Sequence, residues 1–161
     1  MKTHVITLSK TFPKTHSKIG SPTYFAENLS RGVKIHTIRA NYPFWEKRIE
    51  EVRNGTACLS IRQWTGKPYA SKQIEIARLT AYDGVGIQKI HLGNTKLDKM
   101  LGIDNSSFNC LLNDDNKIAS ILCATTVAEN DGLSREDWTE WFKEADYTKP
   151  FAIIHFTKFR Y

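Results

Sequence analysis

The succession of secondary-structure signals predicts an α+β fold: a small mixed β-barrel flanked by about three helices. Three observations predict it. Several strand-like segments follow one another through the middle of the chain, which disfavours a doubly wound parallel sheet. Three other segments have helical spacing between recognisable start and stop residues. The 161 residues suffice for one hydrophobic core, so the chain reads as one domain over 1–161, with an insertion at about 84–117.

The elements follow in order. Segment 3–8 is short and β-branched, a strand. Segment 9–21 is a polar, lysine-rich loop. Ser21 is placed to cap a helix, with Pro22 in its first turn and Gly32 at its stop. Segment 34–39 reads as a strand. A second helix follows, with Asn41 as its cap, Pro43 in its first turn and Gly55 after its end. Phe44, Trp45, Arg48, Ile49 and Val52 fall three and four apart along it, and so share its inward face. Segments 57–64 and 72–80 have strand character and are joined by the turn Thr65-Gly66-Lys67-Pro68, which predicts an antiparallel hairpin. Segment 85–92 is a further strand. Residues 93–116 are polar and irregular, and 118–127 begin as a strand and continue as a helical turn. Ser134 and Asp137 have capping-box spacing ahead of a helix that places Trp138, Trp141, Phe142 and Ala145 on one face. Segment 151–159 alternates like a core strand.

Composition narrows the function. Hydrophobic residues make up 40% and charged residues 25%, which excludes a disordered chain. No run approaches the ~20 apolar residues of a membrane span, and Met1-Lys2-Thr3-His4-Val5 has no leader-like apolar stretch. The expectation is a cytoplasmic protein without membrane contact. Net charge is +6, and the excess of Lys and Arg lies entirely in residues 1–80. A basic half suits a polyanion or a phosphorylated ligand. Cys58, Cys110 and Cys123 form no CxxC pair and are expected to be buried thiols. His4, His16, His36, His91 and His155 have no HxH or HExxH spacing, so neither metal nor cofactor is expected. Asp83-Gly84-Val85-Gly86 lacks the third glycine and the helix of a dinucleotide fingerprint.

Two stretches, in order, resemble one family. The first is Arg31-Gly32-Val33-Lys34-Ile35-His36-Thr37-Ile38-Arg39, where a helix stops at a glycine and a strand opens after a lysine. The second is Ala128-Glu129-Asn130-Asp131-Gly132-Leu133-Ser134, followed by Glu136, Trp138 and Phe142. Together with Thr157-Lys158-Phe159 near the end, they are similar to the ASCH domain of the PUA-like superfamily. The resemblance spans about residues 22 to 159. It implies a β-barrel with a cleft and a role with RNA or modified nucleosides. Across the same motifs the chain is similar to the small bacterial N(4)-acetylcytidine amidohydrolases. In that group a lysine, a threonine three residues later and a downstream glutamate are the proposed machinery. These positions fall on Lys34, Thr37 and Asp131, an aspartate here. Arg39 matches the arginine after the threonine.

The chemistry of those residue types follows from principle. A threonine hydroxyl becomes a nucleophile when a neighbouring base takes its proton. A lysine can be that base if burial or a nearby cation lowers its pKa. Arg39 supplies such a cation and can also stabilise an oxyanion. Asp131 can return a proton to a leaving amine. On a regular strand, positions 34 and 37 point to opposite faces. The catalytic arrangement therefore requires Lys34 to sit on a bend after Gly32.

The hairpin Ser60-Ile61-Arg62-Gln63-Trp64-Thr65-Gly66-Lys67-Pro68-Tyr69 carries a second signal. It interleaves Arg62, Lys67 and Lys72 with Trp64 and Tyr69. Cations meet phosphates and rings stack on unpaired bases. Arg39, Arg62, Trp64 and Lys67 are the expected substrate-binding residues, and Lys34, Thr37 and Asp131 the expected catalytic ones. Three functions stand in order: binding of RNA or a nucleoside, hydrolysis of an acylated cytidine, and a protein-interaction module.

Overall fold

The computed structural model describes residues 1–93, 110–114 and 117–161. It is an α+β fold with four helices and two sheets among these residues. The elements are β1 (Lys2–Leu8), α1 (Phe25–Ser30), β2 (His36–Arg39), α2 (Tyr42–Arg53), β3 (Ala57–Trp64), β4 (Gln73–Leu79), β5 (Gly86–Leu92), β6 (Cys110–Asp114), β7 (Lys117–Leu122), α3 (Ala124–Asn130), α4 (Arg135–Trp141) and β8 (Phe151–His155). A short 3-10 turn, Ala81–Asp83, links β4 to β5.

The first sheet has the order β1-β3-β4, with β1 parallel and β4 antiparallel to β3. The second has the order β2-β8-β5-β6-β7, and each of its pairings is antiparallel. The hydrogen-bonded ladders of the described strands do not close into a ring. One core serves both sheets. Ile6, Leu59 and Ile61 from the first meet Ile90, Ile153 and Ile154 from the second, with Ile49 and Val52 of α2 and Trp138 of α4 packed among them. β8 lies between β2 and β5 and is buried at all five positions, as a central strand requires.

Several details depart from the sequence pattern. The first helix starts at Phe25, not at Pro22. Pro22 instead bridges Thr11, and Thr23 Oγ1 donates to Ser9 O at 2.7 Å, so residues 9–23 form a strap closed on itself. Asn41 adopts a left-handed backbone (φ 64°) at the head of α2 and makes no side-chain cap. On α2 only Ile49 and Val52 are buried. Phe44 is exposed, with the Arg48 guanidinium 3.4 Å from its ring centroid, so burial of this pair gives way to surface stacking. Cys58 is buried, but Cys123 is exposed at the start of α3, where the chain leaves the sheet; the Cys110 side chain lies outside the described residues. Of the insertion expected at 84–117, residues 94–109 and 115–116 lie outside the described part; the rest supplies β5 and β6, which pair with each other. Among the described residues, no helix is long and apolar enough to cross a membrane.

Candidate functional site

The segment around residue 34 is stitched to the turn around residue 131 by local geometry. Gly32, at φ +71°, ends α1 in the left-handed conformation that favours glycine. The chain then doubles back: Val33 N and Lys34 N both donate to Asn28 O, at 2.9 and 3.0 Å. Asp131 sits at the C-terminus of α3. Gly132 (φ +84°) turns the chain, and Ser134 Oγ accepts from Asp137 N at 3.1 Å to open α4. Ile35 N donates to Asn130 O at 2.9 Å, and Asn28 Nδ2 to Gly132 O at 3.2 Å. A Cβ on Gly132 would lie 3.2 Å from Lys34 Cβ, so the close approach itself favours glycine there.

Lys34 precedes β2 and lies on irregular backbone, so strand alternation does not govern it. Its side chain is 1% exposed. Nζ donates to Asp131 Oδ1 at 2.5 Å and to Asp131 O at 2.6 Å, and it lies 4.2 Å from the Phe25 ring centroid. The other carboxylate oxygen, Oδ2, accepts from Trp138 Nε1 at 3.1 Å. The carboxylate is therefore held at both ends in a buried setting, which fixes its orientation.

Burial pushes the Lys34 ammonium below its ordinary pKa; Asp131 opposes that shift and the Arg39 charge adds to it. Burial pushes Asp131 up, against the charge and hydrogen bond of Lys34, the charge of Arg39 and the hydrogen bond from Trp138. The two shifts converge. They bring a neutral amine facing a carboxylic acid closer in energy to the ion pair.

Thr37, Arg39 and Asp131 line one small hollow together with Ser9, Phe25 and Trp141, among others. Its volume is about 20 Å³, room for roughly one water. Arg39 and Asp131 are the charged groups in its lining; Lys34, bonded to Asp131, is not part of that lining and faces a separate cavity beside Leu29 and Phe156. Arg39 Nη2 donates to Thr7 O at 2.7 Å, tying β2 to β1 and so one sheet to the other.

Beside the hollow lies a far wider cleft of about 600 Å³. Trp64, Lys67, Tyr69 and Gln73 line one wall, and Thr7, Ser9, Lys10 and Thr11 the other. Ser9 lines both spaces. The Trp64 and Tyr69 ring centroids are 5.3 Å apart, tilted by 52°. Of the expected binding residues, the structure thus brings Trp64 and Lys67 to this cleft, while Arg39 lines the small hollow instead. Arg62 lies apart from it: Nε donates to Ser60 Oγ at 2.9 Å, opposite Glu75 on β4. A second groove, of about 660 Å³, runs between the head of α2 and residues 145–151 and contains none of the expected residues.

Sequence reasoning missed the polar role of Trp138 and the contributions of Thr7 and Ser9. Trp138 follows Asp131 by seven residues across a turn and a helix start, a spacing that returns its indole to the carboxylate. Thr7 and Ser9 gave no signal, because Thr7 is placed by a parallel pairing with Arg62, 55 residues away, and Ser9 follows directly after that strand. No family model, curated protein or solved structure matches this chain.

Proposed function

We propose that this chain is a nucleoside-recognising domain of the ASCH, PUA-like kind, which takes one base of an RNA or a modified nucleoside into the cleft between residues 7–11 and 64–73. The observation that carries this reading is that Ser9 lines two spaces, an aromatic, cationic cleft wide enough for a nucleoside and a hollow wide enough for one polar group. Ligand sites of this kind span roughly 300–1,000 Å³ and pair apolar walls with a few directed polar groups. The base lies against Trp64, and its exocyclic group is directed past Ser9 toward Thr37 and Arg39. In this reading the two sheets act as two halves of one barrel-like wall, drawn together by the Arg39–Thr7 bond. Titration of cytidine and N(4)-acetylcytidine by calorimetry tests it. Trp64→Ala should weaken binding about tenfold, within the ~1–3 kcal/mol that one base–ring stack contributes. No heat at millimolar ligand rejects the reading.

The buried Lys34–Asp131 pair favours a second reading, amide hydrolysis of an acylated cytidine. Thr37 Oγ attacks the acyl carbon while its proton passes to the neutral Lys34 amine, and Arg39 stabilises the resulting oxyanion. The C–N bond then breaks, and the Asp131 acid gives its proton to the leaving nitrogen. Water hydrolyses the acyl-threonine ester, releasing the carboxylic acid and restoring the hydroxyl. Release of cytidine from N(4)-acetylcytidine is the assay. Thr37→Ala should abolish turnover and leave cytidine binding intact; turnover undiminished in that variant rejects hydrolysis.

A further inference from the structure

We infer that the ligand of the wide cleft carries a phosphate, seated between Lys10 and Lys67 of its lining. The inference rests on the nucleoside reading above and extends it to the charge of the ligand.

Four observations support it. The cleft has two lysines in its lining and no carboxylate. Neither lysine has a carboxylate within 4.0 Å among the described residues, whereas Lys2, Lys18, Lys34, Lys143 and Lys149 each do. Lys10 Nζ donates to Thr65 O at 3.0 Å. That bond holds the ammonium at the rim and uses one of its three donors, leaving two for a ligand.

The second support is rigidity. Lys67 and Tyr69 ride on a turn braced at four points: Thr65 N and Oγ1 to Lys72 O at 2.9 and 3.0 Å, Gly66 N to Ser71 Oγ at 3.0 Å, and Ser71 Oγ to Lys67 O at 2.9 Å. A positively charged side chain on a braced turn loses less freedom on binding than one on a loose loop.

The third is Tyr69. It is 93% exposed and has φ +63°, a conformation that side-chain-bearing residues seldom adopt. Its ring faces Trp64 at the mouth of the cleft. A large ring kept in water on a strained backbone is an arrangement that a stacking partner would reward.

The fourth is size. The hollow admits one polar group, so the remaining nucleotide must lie in the 600 Å³ cleft. A base against Trp64 keeps its sugar in the same cleft, whose lining holds Lys10 and Lys67. A phosphate ester of that sugar meets both ammonium groups. The phosphate can belong to a free nucleotide or to a single strand, since the lysines read the same oxygens in each.

The test compares cytidine, cytidine 5′-monophosphate and a short oligocytidylate, by calorimetry at two salt concentrations, on the wild-type chain and on a Lys10→Gln/Lys67→Gln variant. Both substituted side chains are exposed, so the fold is retained, and circular dichroism checks it. The inference expects the phosphorylated ligands to bind at least about tenfold tighter than cytidine at low salt. That advantage should shrink as salt rises and disappear in the double variant. A strand that outbinds the monophosphate identifies RNA as the source, and equal affinities identify the free nucleotide; both support the phosphate seat. Equal affinity of cytidine and its monophosphate for the wild type overturns this inference and leaves the nucleoside reading standing. So does a tenfold gap that survives in the double variant. Absence of binding by all three ligands overturns both.

Discussion

Breaking the Lys34–Asp131 pair from one side should cost far more than removing it altogether. Both side chains are almost wholly out of water, at 1% and 7% exposure. Lys34→Met removes the ammonium and leaves a carboxylate that keeps only the Trp138 donor on Oδ2. Asp131→Asn removes the charge that balances Lys34, leaving an ammonium with the Asp131 carbonyl and the Phe25 ring as its company. Removal of one partner of a buried ion pair costs roughly 3–5 kcal/mol, because the other charge stays buried and uncompensated. In a domain of this size roughly 1 kcal/mol lowers Tm by about 2–4 °C, so each single variant should melt some 6–20 °C earlier. The double variant Lys34→Met/Asp131→Asn has no buried charge at this point, and a neutral amide can still accept from Trp138. It should recover most of the loss of either single variant and cost far less than the sum of the two. Urea unfolding followed by tryptophan fluorescence measures all four corners of the cycle. Single variants costing under about 1 kcal/mol, or a double variant costing the sum of the singles, would refute the claim that an ionic pair is held here.

Other predictions follow from the same geometry. Trp138→Phe keeps the ring in the core and removes the Nε1–H from Asp131 Oδ2; it should cost about 1–3 kcal/mol in urea unfolding, as for an acceptor left buried and unpaired. Gly132→Ala places a Cβ 3.2 Å from Lys34 on a backbone at φ +84°; a Tm lowered by at least a few degrees is expected, and an unchanged Tm would contradict the close approach. His36 and His155 both have pKa values pushed down to about 3, first by burial, then by the Lys34 charge for His36 and by His36 and Arg160 for His155. The native state therefore keeps both imidazoles neutral while the unfolded chain protonates them below about pH 6.5, so stability is full above that pH and is lost as pH falls toward 3. At pH 5 the loss is about 2 kcal/mol per histidine; the urea midpoint should drop accordingly between pH 7.5 and 5, and imidazole shifts in NMR should still report neutral rings at pH 5. Glu140→Ala removes the acceptor of Ser17 N (2.8 Å) and Ser17 Oγ (2.7 Å); faster amide exchange in residues 14–20 is expected, with little change in global stability.

Much of the fold was legible because its signals are local. Gly32 and Gly55 stop helices through positive φ, and Ser134 with Asp137 opens α4 through a cap, as their chemistry requires. The hairpin of β3 and β4 was readable from its Gly-Pro turn. Ser21 and Pro22 carried equally good helix-start chemistry and were misread. The strap bond from Thr23 to Ser9, 14 residues away, fixes that backbone first. Phe44 had the right period for the core, but Arg48 one turn later stacks on it in solvent. The parallel match of β1 to β3 and the central place of β8 are contacts across most of the chain, and no local pattern encodes them. For the site, the requirement that Lys34 escape strand alternation could be written from the sequence, since Gly32 lies two residues before it. The second oxygen of Asp131 could not be partnered that way. Trp138 has the periodicity of a core residue, and its N–H makes it a polar one.

The central claim is that the cleft at Trp64 and the hollow at Thr37 serve one ligand. A crystal structure of the protein soaked with N(4)-acetylcytidine tests this most directly, with Thr37→Ala used should turnover consume the ligand. The account predicts a pyrimidine ring against Trp64 and an acyl oxygen beyond Ser9 within hydrogen-bond reach of Arg39. Density for the nucleoside in the groove between α2 and residues 145–151, or a base whose exocyclic group points away from Ser9 into solvent, would contradict it.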